Sequence, residues 1–316
     1  MPASPFFHLW PGKFSARAAA LVTGGILLLA PGVAPAQQRA IRPDLKDLAY
    51  GTESPGSQAL DVYFAKGSPQ QNPHSKPAVV YLHGGGWRAG SKDPIPRFLQ
   101  LGLEQGLFHV IAVEYRFTTI APHPAQAHDC VRAIQFVRAH AGEWRLDPAR
   151  IAVTGGSAGA HLSLWVGLHD DLAQPQSDDP IRRQSSRVAL ILAFAGPTDW
   201  RLLSTLEHRH PAYRQILGYE PGTPASALDP DKTKDVSPVS FVSADDPPVY
   251  LFHGEADDVV PIQHAQVMEQ QLKQAGVKYE LLTLPGAGHE VAGAAAPILS
   301  SRALHIIREQ FHLPEP

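Results

Sequence analysis

Ile151-Ala152-Val153-Thr154-Gly155-Gly156-Ser157-Ala158-Gly159-Ala160 runs an apolar, strand-like stretch straight into G-x-S-x-G and then into a segment of helical character. A serine hydroxyl is a poor nucleophile unless it is held at a sharp turn. Glycines on both sides permit the strained backbone and the close helix packing that such a turn needs. Ser157 is therefore the candidate nucleophile. The pentapeptide alone also fits an ordinary strand-to-helix turn; the strand before it and the helix after it favour the nucleophile.

Upstream, Val79-Val80-Tyr81-Leu82-His83-Gly84-Gly85-Gly86-Trp87 places a second glycine run directly after a strand. Attack on an acyl carbon turns the carbonyl oxygen into an oxyanion, which needs pre-aimed N–H donors, and glycines let the backbone come within range. Gly85 and Gly86, together with the N–H of Ala158, are the candidate oxyanion hole. A phosphate cradle is the alternative, but the loop lacks the lysine of G-x-x-x-x-G-K-[ST] and the spacing of a dinucleotide fingerprint.

Downstream lie a base and an acid. Tyr250-Leu251-Phe252-His253-Gly254-Glu255-Ala256-Asp257-Asp258-Val259-Val260-Pro261 puts carboxylates in the turn after a strand, and Leu284-Pro285-Gly286-Ala287-Gly288-His289 puts a histidine in a glycine-rich loop after the next. The order Ser157, Asp257, His289 is that of α/β-hydrolases and differs from the chymotrypsin-like and subtilisin-like orders.

Around these loops, short apolar runs at 77–83, 110–115, 150–154, 188–194, 248–253 and 279–284 alternate with helix-like segments at 124–141, 158–169, 261–275 and 297–311. That alternation predicts a mainly parallel central sheet with helices on both faces. Residues 58–64 (QALDVYF) alternate at period two and predict an antiparallel edge strand. Two stretches break the rhythm. Residues 170–187 are polar and read as an exposed excursion, and 199–246 begin with a helix-like piece over 200–217 and end in a Pro-, Asp- and Ser-rich tail. The second is long enough to be a small cap insertion over the site, with a surface excursion as the alternative.

Composition bounds the rest. The 316 residues are 44% hydrophobic and 18% charged, too apolar for disorder, and 27 Lys and Arg against 30 Asp and Glu include no basic run of the kind that binds nucleic acid. Residues 1–36 hold two bases, Lys13 and Arg17, no acid, the apolar stretch 18–30 and then Ala34-Pro35-Ala36. This is the pattern of a secretory signal peptide. The apolar stretch is short for a hydrocarbon layer of roughly 30 Å, so cleavage after Ala36 is expected rather than a stable membrane anchor, with export to periplasm or medium and a catalytic domain over 37–316. The single cysteine, Cys130, precludes an intrachain disulfide and a thiolate-rich metal site.

Together these motifs resemble those of the α/β-hydrolases in the hormone-sensitive-lipase-like and feruloyl/acetylxylan esterase-like group. Its members share H-G-G-G-W, G-x-S-A-G, an H-G-x-x-D-x-x-V-P turn and a late G-x-G-H, and the matching segments run from about Leu60 to the C-terminus. They include Val113-Glu114-Tyr115-Arg116, where such proteins commonly have D-Y-R, and Ser237-Pro238-Val239-Ser240. The resemblance implies the α/β-hydrolase fold and places the acid on Asp257 in preference to Asp258. Ala160 stands where many lipase-like members have glycine, and Phe117-Thr118-Thr119-Ile120 replaces their Leu-Ala-Pro-Glu, which favours the feruloyl/acetylxylan esterase-like branch.

Other residues read more plainly. His83 is expected to brace the glycine loop, His161 to pack or support the site one turn beyond Ser157, His253 to be structural and Cys130 to be a small core residue. His123 and His128 lack the i, i+4 spacing of helical ligands, and no metal or organic cofactor is expected. Trp87 and Trp200 are candidates to line a substrate pocket. The predicted function is hydrolysis of a carboxylic ester, either a small molecule or an acetyl or feruloyl group on plant polysaccharide. A prolyl-oligopeptidase-like peptidase is the same-chemistry alternative, with no room here for a propeller, and a catalytically silent binding protein is the alternative from another class. The sequence does not specify an oligomeric state.

Overall fold

The computed structural model describes residues 41–67, 75–206, 210–294 and 297–314, all within one compact unit spanning Ala40–Pro316. The expected signal peptide, 1–36, lies outside the described residues. In chain order the elements are β1 (Leu45–Ala49), β2 (Ala59–Tyr63), β3 (Lys76–Leu82), α1 (Arg97–Glu104), β4 (His109–Val113), α2 (Ala125–Ala139), α3 (Ala141–Trp144), β5 (Leu146–Gly156), α4 (Ala158–Leu168), β6 (Leu190–Phe194), α5 (Ala212–Gln215), α6 (Pro230–Asp235), β7 (Val249–Gly254), α7 (Gln263–Ala275), β8 (Tyr279–Leu284) and α8 (Pro297–Gln310).

The strands form one sheet in the order β1-β2-β4-β3-β5-β6-β7-β8, parallel from β4 to β8 and antiparallel at the β1 and β2 end. Because side chains alternate across a strand, each central strand feeds two cores. Val79, Val110, Ala152, Leu192 and Phe252 pack with α1 and α8 on one face. Val80, Ile111, Val153, Ile191 and Leu251 pack with α2, α4 and α7 on the other. Burial on both faces is why these strands read as continuous apolar runs.

Two expectations are corrected. The period-two segment 58–64 does form an antiparallel strand, but β1 pairs outside it, so β2 is fully buried and β1 is the edge. The helix-like piece over 200–217 is broken into a 3-10 turn, Trp200–Ser204, and the short α5. Pro211 carries no N–H for a helix interior and disfavours helical backbone at the residue before it, which explains the break. Residues 170–187 contain no regular element, yet Arg132, Gln135 and Arg138 of α2 bond to Asp179, Gln184 O and Arg187 O. Among the described residues no helix is long and apolar enough to cross a membrane.

Candidate active site

Parallel strands deliver their C-terminal ends to one edge of the sheet, and the three candidate side chains leave from three such ends. Ser157 occupies the single residue between β5 and α4 at φ 55° and ψ −120°, a conformation that costs a non-glycine residue of order 1–3 kcal/mol. It is held there by Ser157 N–H donating to Phe194 O of β6 (2.8 Å) and by His161 N–H donating to Ser157 O (3.0 Å). Gly156 is fixed by close approach: a Cβ there would stand 1.7 Å from Ala292 O, in the 3-10 turn His289–Gly293.

The turns after β7 and β8 are tied together by Glu255 N–H to Leu284 O (3.1 Å) and Ala256 N–H to Ala287 O (2.9 Å). That zipper sets Asp257 beside His289. Asp257 Oδ2 lies 2.8 Å from His289 Nδ1, and His289 Nε2 lies 3.0 Å from Ser157 Oγ. The other carboxylate oxygen, Oδ1, accepts from Val259 N–H (2.9 Å) and Val260 N–H (2.8 Å). Burial works to raise the Asp257 pKa, but the bonds from His289 and from these two amides outweigh it and hold the carboxyl below its ordinary value. An ionised Asp257 takes the Nδ1–H of His289 and leaves Nε2 bare to accept from the Ser157 hydroxyl. Asp257 rather than Asp258 makes this bond.

Gly85 and Gly86 lie in the left-handed region, at φ 113° and 59°. At Gly85 a Cβ would meet Ala89 O at 2.0 Å, so the loop requires glycine there. Ala158 opens α4, whose first amides have no partner within the helix. These three residues, Ser157 and His289 line one cavity of about 730 Å³. His83 braces the loop, with Nδ1 2.7 Å from Gly84 O, Nε2 3.1 Å from Glu114 Oε1 and the ring stacked on Tyr115.

The cavity wall also includes residues that sequence reasoning missed: Pro197, Val259 and Val260 from loops next to the site, and His210, Ala212 and Tyr213 from the 199–246 segment. Nothing periodic marks them; only the tertiary path of that segment brings them in. Trp87 lines the cavity too, but it is 2% exposed and its Nε1–H is committed to His161 Nδ1 (3.1 Å). Trp200 is buried between Trp87, His161 and Tyr213 and is not among the lining residues. His253 donates from Nε2 to Val260 O (2.7 Å) and so shapes the Asp257 turn, while burial and the adjacent Asp129 carboxylate push the Cys130 thiol up. His123 Nε2 is 2.8 Å from Asp235 Oδ2, and among the described residues no cluster of three or more His, Cys, Asp or Glu side chains is placed to hold a metal.

A mostly parallel eight-stranded sheet with a serine in a strained turn between its fifth strand and the following helix defines an α/β-hydrolase. Residues 60–272 match the family model described as BD-FAE, and the chain belongs to that family. The probable carboxylic ester hydrolase LipM of Mycobacterium tuberculosis is 31% identical over 242 residues, covering 74% of this chain and 53% of the relative. The chain spans 53–64% of the length of LipM and two further mycobacterial relatives. Among solved structures, a truncated carbohydrate esterase from gut microbiota is 28% identical with a TM-score of 0.72, covering 84% of this chain and 95% of that one. A thermophilic esterase from the planctomycete Thermogutta terrifontis, solved with propionate bound, is 26% identical with a TM-score of 0.69, covering 87% and 97%.

Proposed function

We propose that the protein is an exported serine esterase that removes an acetyl or a feruloyl group from plant polysaccharide. The observation that carries the reading is the unbroken line from Asp257 Oδ2 through both nitrogens of His289 to Ser157 Oγ, inside a cavity shared with the glycine loop. Ser157 Oγ attacks the acyl carbon as its proton passes to His289 Nε2, and the carbonyl π electrons move onto oxygen. Asp257 stabilises the imidazolium, and N–H groups of Gly85, Gly86 and Ala158 hold the oxyanion. Collapse of the adduct breaks the bond to the alcohol, which takes the proton from His289. Water repeats the steps and releases the acid, so the cycle needs no cofactor.

Support for the substrate class comes from the relatives, named a carbohydrate esterase and an esterase solved with propionate, and from a wall in which Pro197, Tyr213 and Val260 offer apolar surface to an acyl group. Export rests on the basic-then-apolar pattern of residues 1–36.

The test is hydrolysis of p-nitrophenyl acetate, longer p-nitrophenyl esters, methyl ferulate and acetylated xylan by the wild type and Ser157→Ala. Turnover that vanishes in the variant supports the reading, and turnover unchanged in it eliminates Ser157. A folded wild type inert toward the whole panel favours a binding role instead.

A further inference from the structure

The mechanism leaves several buried imidazoles unused, His161 among them. His161 lies on α4 one turn beyond Ser157, with no exposed surface, and both its nitrogens are engaged. Nδ1 accepts from Trp87 Nε1–H (3.1 Å), and Nε2–H donates to Val236 O (2.7 Å). Only a neutral ring with its proton on Nε2 can do both. Burial ensures neutrality by pushing the His161 pKa down to about 3.

The two partners belong to different parts of the site. Trp87 ends the H-G-G-G-W run, directly after Gly86, and is itself at φ 58°, a costly conformation for a bulky residue. Its carbonyl accepts from Thr118 N–H (2.8 Å), and its ring meets His161 edge-on at 5.0 Å. Val236 follows α6 in the 199–246 segment. One turn along α4 from His161, Trp165 Nε1–H donates to the neighbouring carbonyl, Asp235 O (2.7 Å). Two side chains at i and i+4 on one helix therefore hold two successive carbonyls of that segment, and the first of them also holds the glycine loop.

We infer that His161 is a positioning residue that keeps the Gly85–Gly86 loop in its oxyanion-binding geometry by tying Trp87 to the Val236 backbone. The inference rests on the esterase reading above. An imidazole suits the task because its acceptor and donor point to opposite sides of one rigid ring. His161 is not among the residues lining the cavity, and its ring nitrogens are bonded to Trp87 and Val236 rather than to Ser157 Oγ, so it acts through the loop.

The test compares His161→Phe and Trp87→Phe, singly and together, in the full chain. The second single variant removes the indole N–H together with part of the ring and leaves α4 and its tie to Val236 intact, which keeps the test informative if the first does not fold. The readouts are kcat and KM on p-nitrophenyl acetate, the pH profile of kcat, and calorimetric binding of phenylboronic acid, which forms a tetrahedral adduct on an active serine. The expected result is a kcat lowered about 10- to 100-fold, short of the roughly 100- to 1,000-fold for complete loss of one donor. KM should change less than about threefold, and the pH profile should keep its shape because Asp257 and His289 are untouched. Boronate affinity should fall in parallel with kcat, and the double variant should lose no more than the worse single one, since both delete the same bond. A folded variant with kcat within about twofold of wild type overturns the inference. So does a loss carried by KM, a reshaped pH profile, or a fall in kcat with boronate affinity unchanged. An inactive wild type refutes the esterase reading instead, and is seen before any variant is measured.

Discussion

Gly156→Ala probes the contact that joins the serine turn to the histidine turn. The backbone at Gly156 lies outside the left-handed region, so alanine meets no conformational penalty and the effect is steric. The new Cβ would lie 1.7 Å from Ala292 O and 2.6 Å from Ala292 C, both backbone atoms that no rotamer change can move. Real Cβ contacts stay beyond 3.0 Å, so β5 and the turn His289–Gly293 have to part by more than about 1 Å. The 3.0 Å bond between His289 Nε2 and Ser157 Oγ then stretches past hydrogen-bonding range. A misplacement of that size costs about 100-fold in turnover. Overpacking costs about 1–3 kcal/mol of stability, or a Tm lower by about 2–12 °C for a chain of this size. The assay is kcat on p-nitrophenyl acetate beside a thermal melt. Gly142→Ala serves as the control, because a Cβ there meets nothing within 4 Å. A Gly156→Ala enzyme with kcat within about threefold of wild type would refute the claim that this contact sets the Ser157–His289 distance.

Three further outcomes follow from the site and the core. Asp257→Asn presents an amide where His289 Nδ1–H needs an acceptor, so the imidazole adopts the wrong tautomer; kcat should fall about 10⁴-fold with the fold retained, and a loss under tenfold in steady-state assays would contradict the assigned role. Removing the nucleophile in Ser157→Ala should reduce hydrolysis to background and abolish labelling by a fluorophosphonate, whereas persistent labelling would place the nucleophile elsewhere. Burial lowers His161 to about 3 and His109 to about 4, so below their ordinary value of 6.5 the unfolded chain binds protons that the folded one does not. Their contribution to stability is full above about pH 6.5 and is lost as pH falls towards the folded values. Each costs about 2 kcal/mol by pH 5. Urea melts at pH 7.5 and pH 5.0 should show this, with about 2 kcal/mol of the difference abolished in His161→Phe; an equal difference in the variant would contradict the assignment.

How much of this was legible follows from which physics writes itself into local sequence. Central strands buried on both faces, such as β5 and β7, are continuous apolar runs, and each functional side chain lies in the loop at a strand's end. The serine, acid and histidine were readable for that reason. β1 was not: LKDLA is half exposed and is interrupted by an irregularity where Asp47 takes φ 53°. α1 was missed as well; Gly102 lowers its helical character, and the glycine is there because the Phe108 ring leaves no room for a Cβ. The cavity wall at His210 to Tyr213 follows from how an irregular segment folds back on the sheet, which no local pattern records.

That irregular segment combines two demands that are separated along its length. Its wall residues, His210 to Tyr213, line the cavity beside Ser157, whereas its anchor, Asp235 and Val236, is bonded to Trp165 and His161 of α4. Loops that face a ligand are free to vary where a rigid scaffold positions them. The tie to α4 runs through the two backbone carbonyls, which any residue supplies, while the Asp235 carboxylate is bonded separately to His123 Nε2 (2.8 Å). The demand for identity falls on the helix, at His161 and Trp165. The wall can therefore change while the bonds from His161 and Trp165 to the segment's backbone persist.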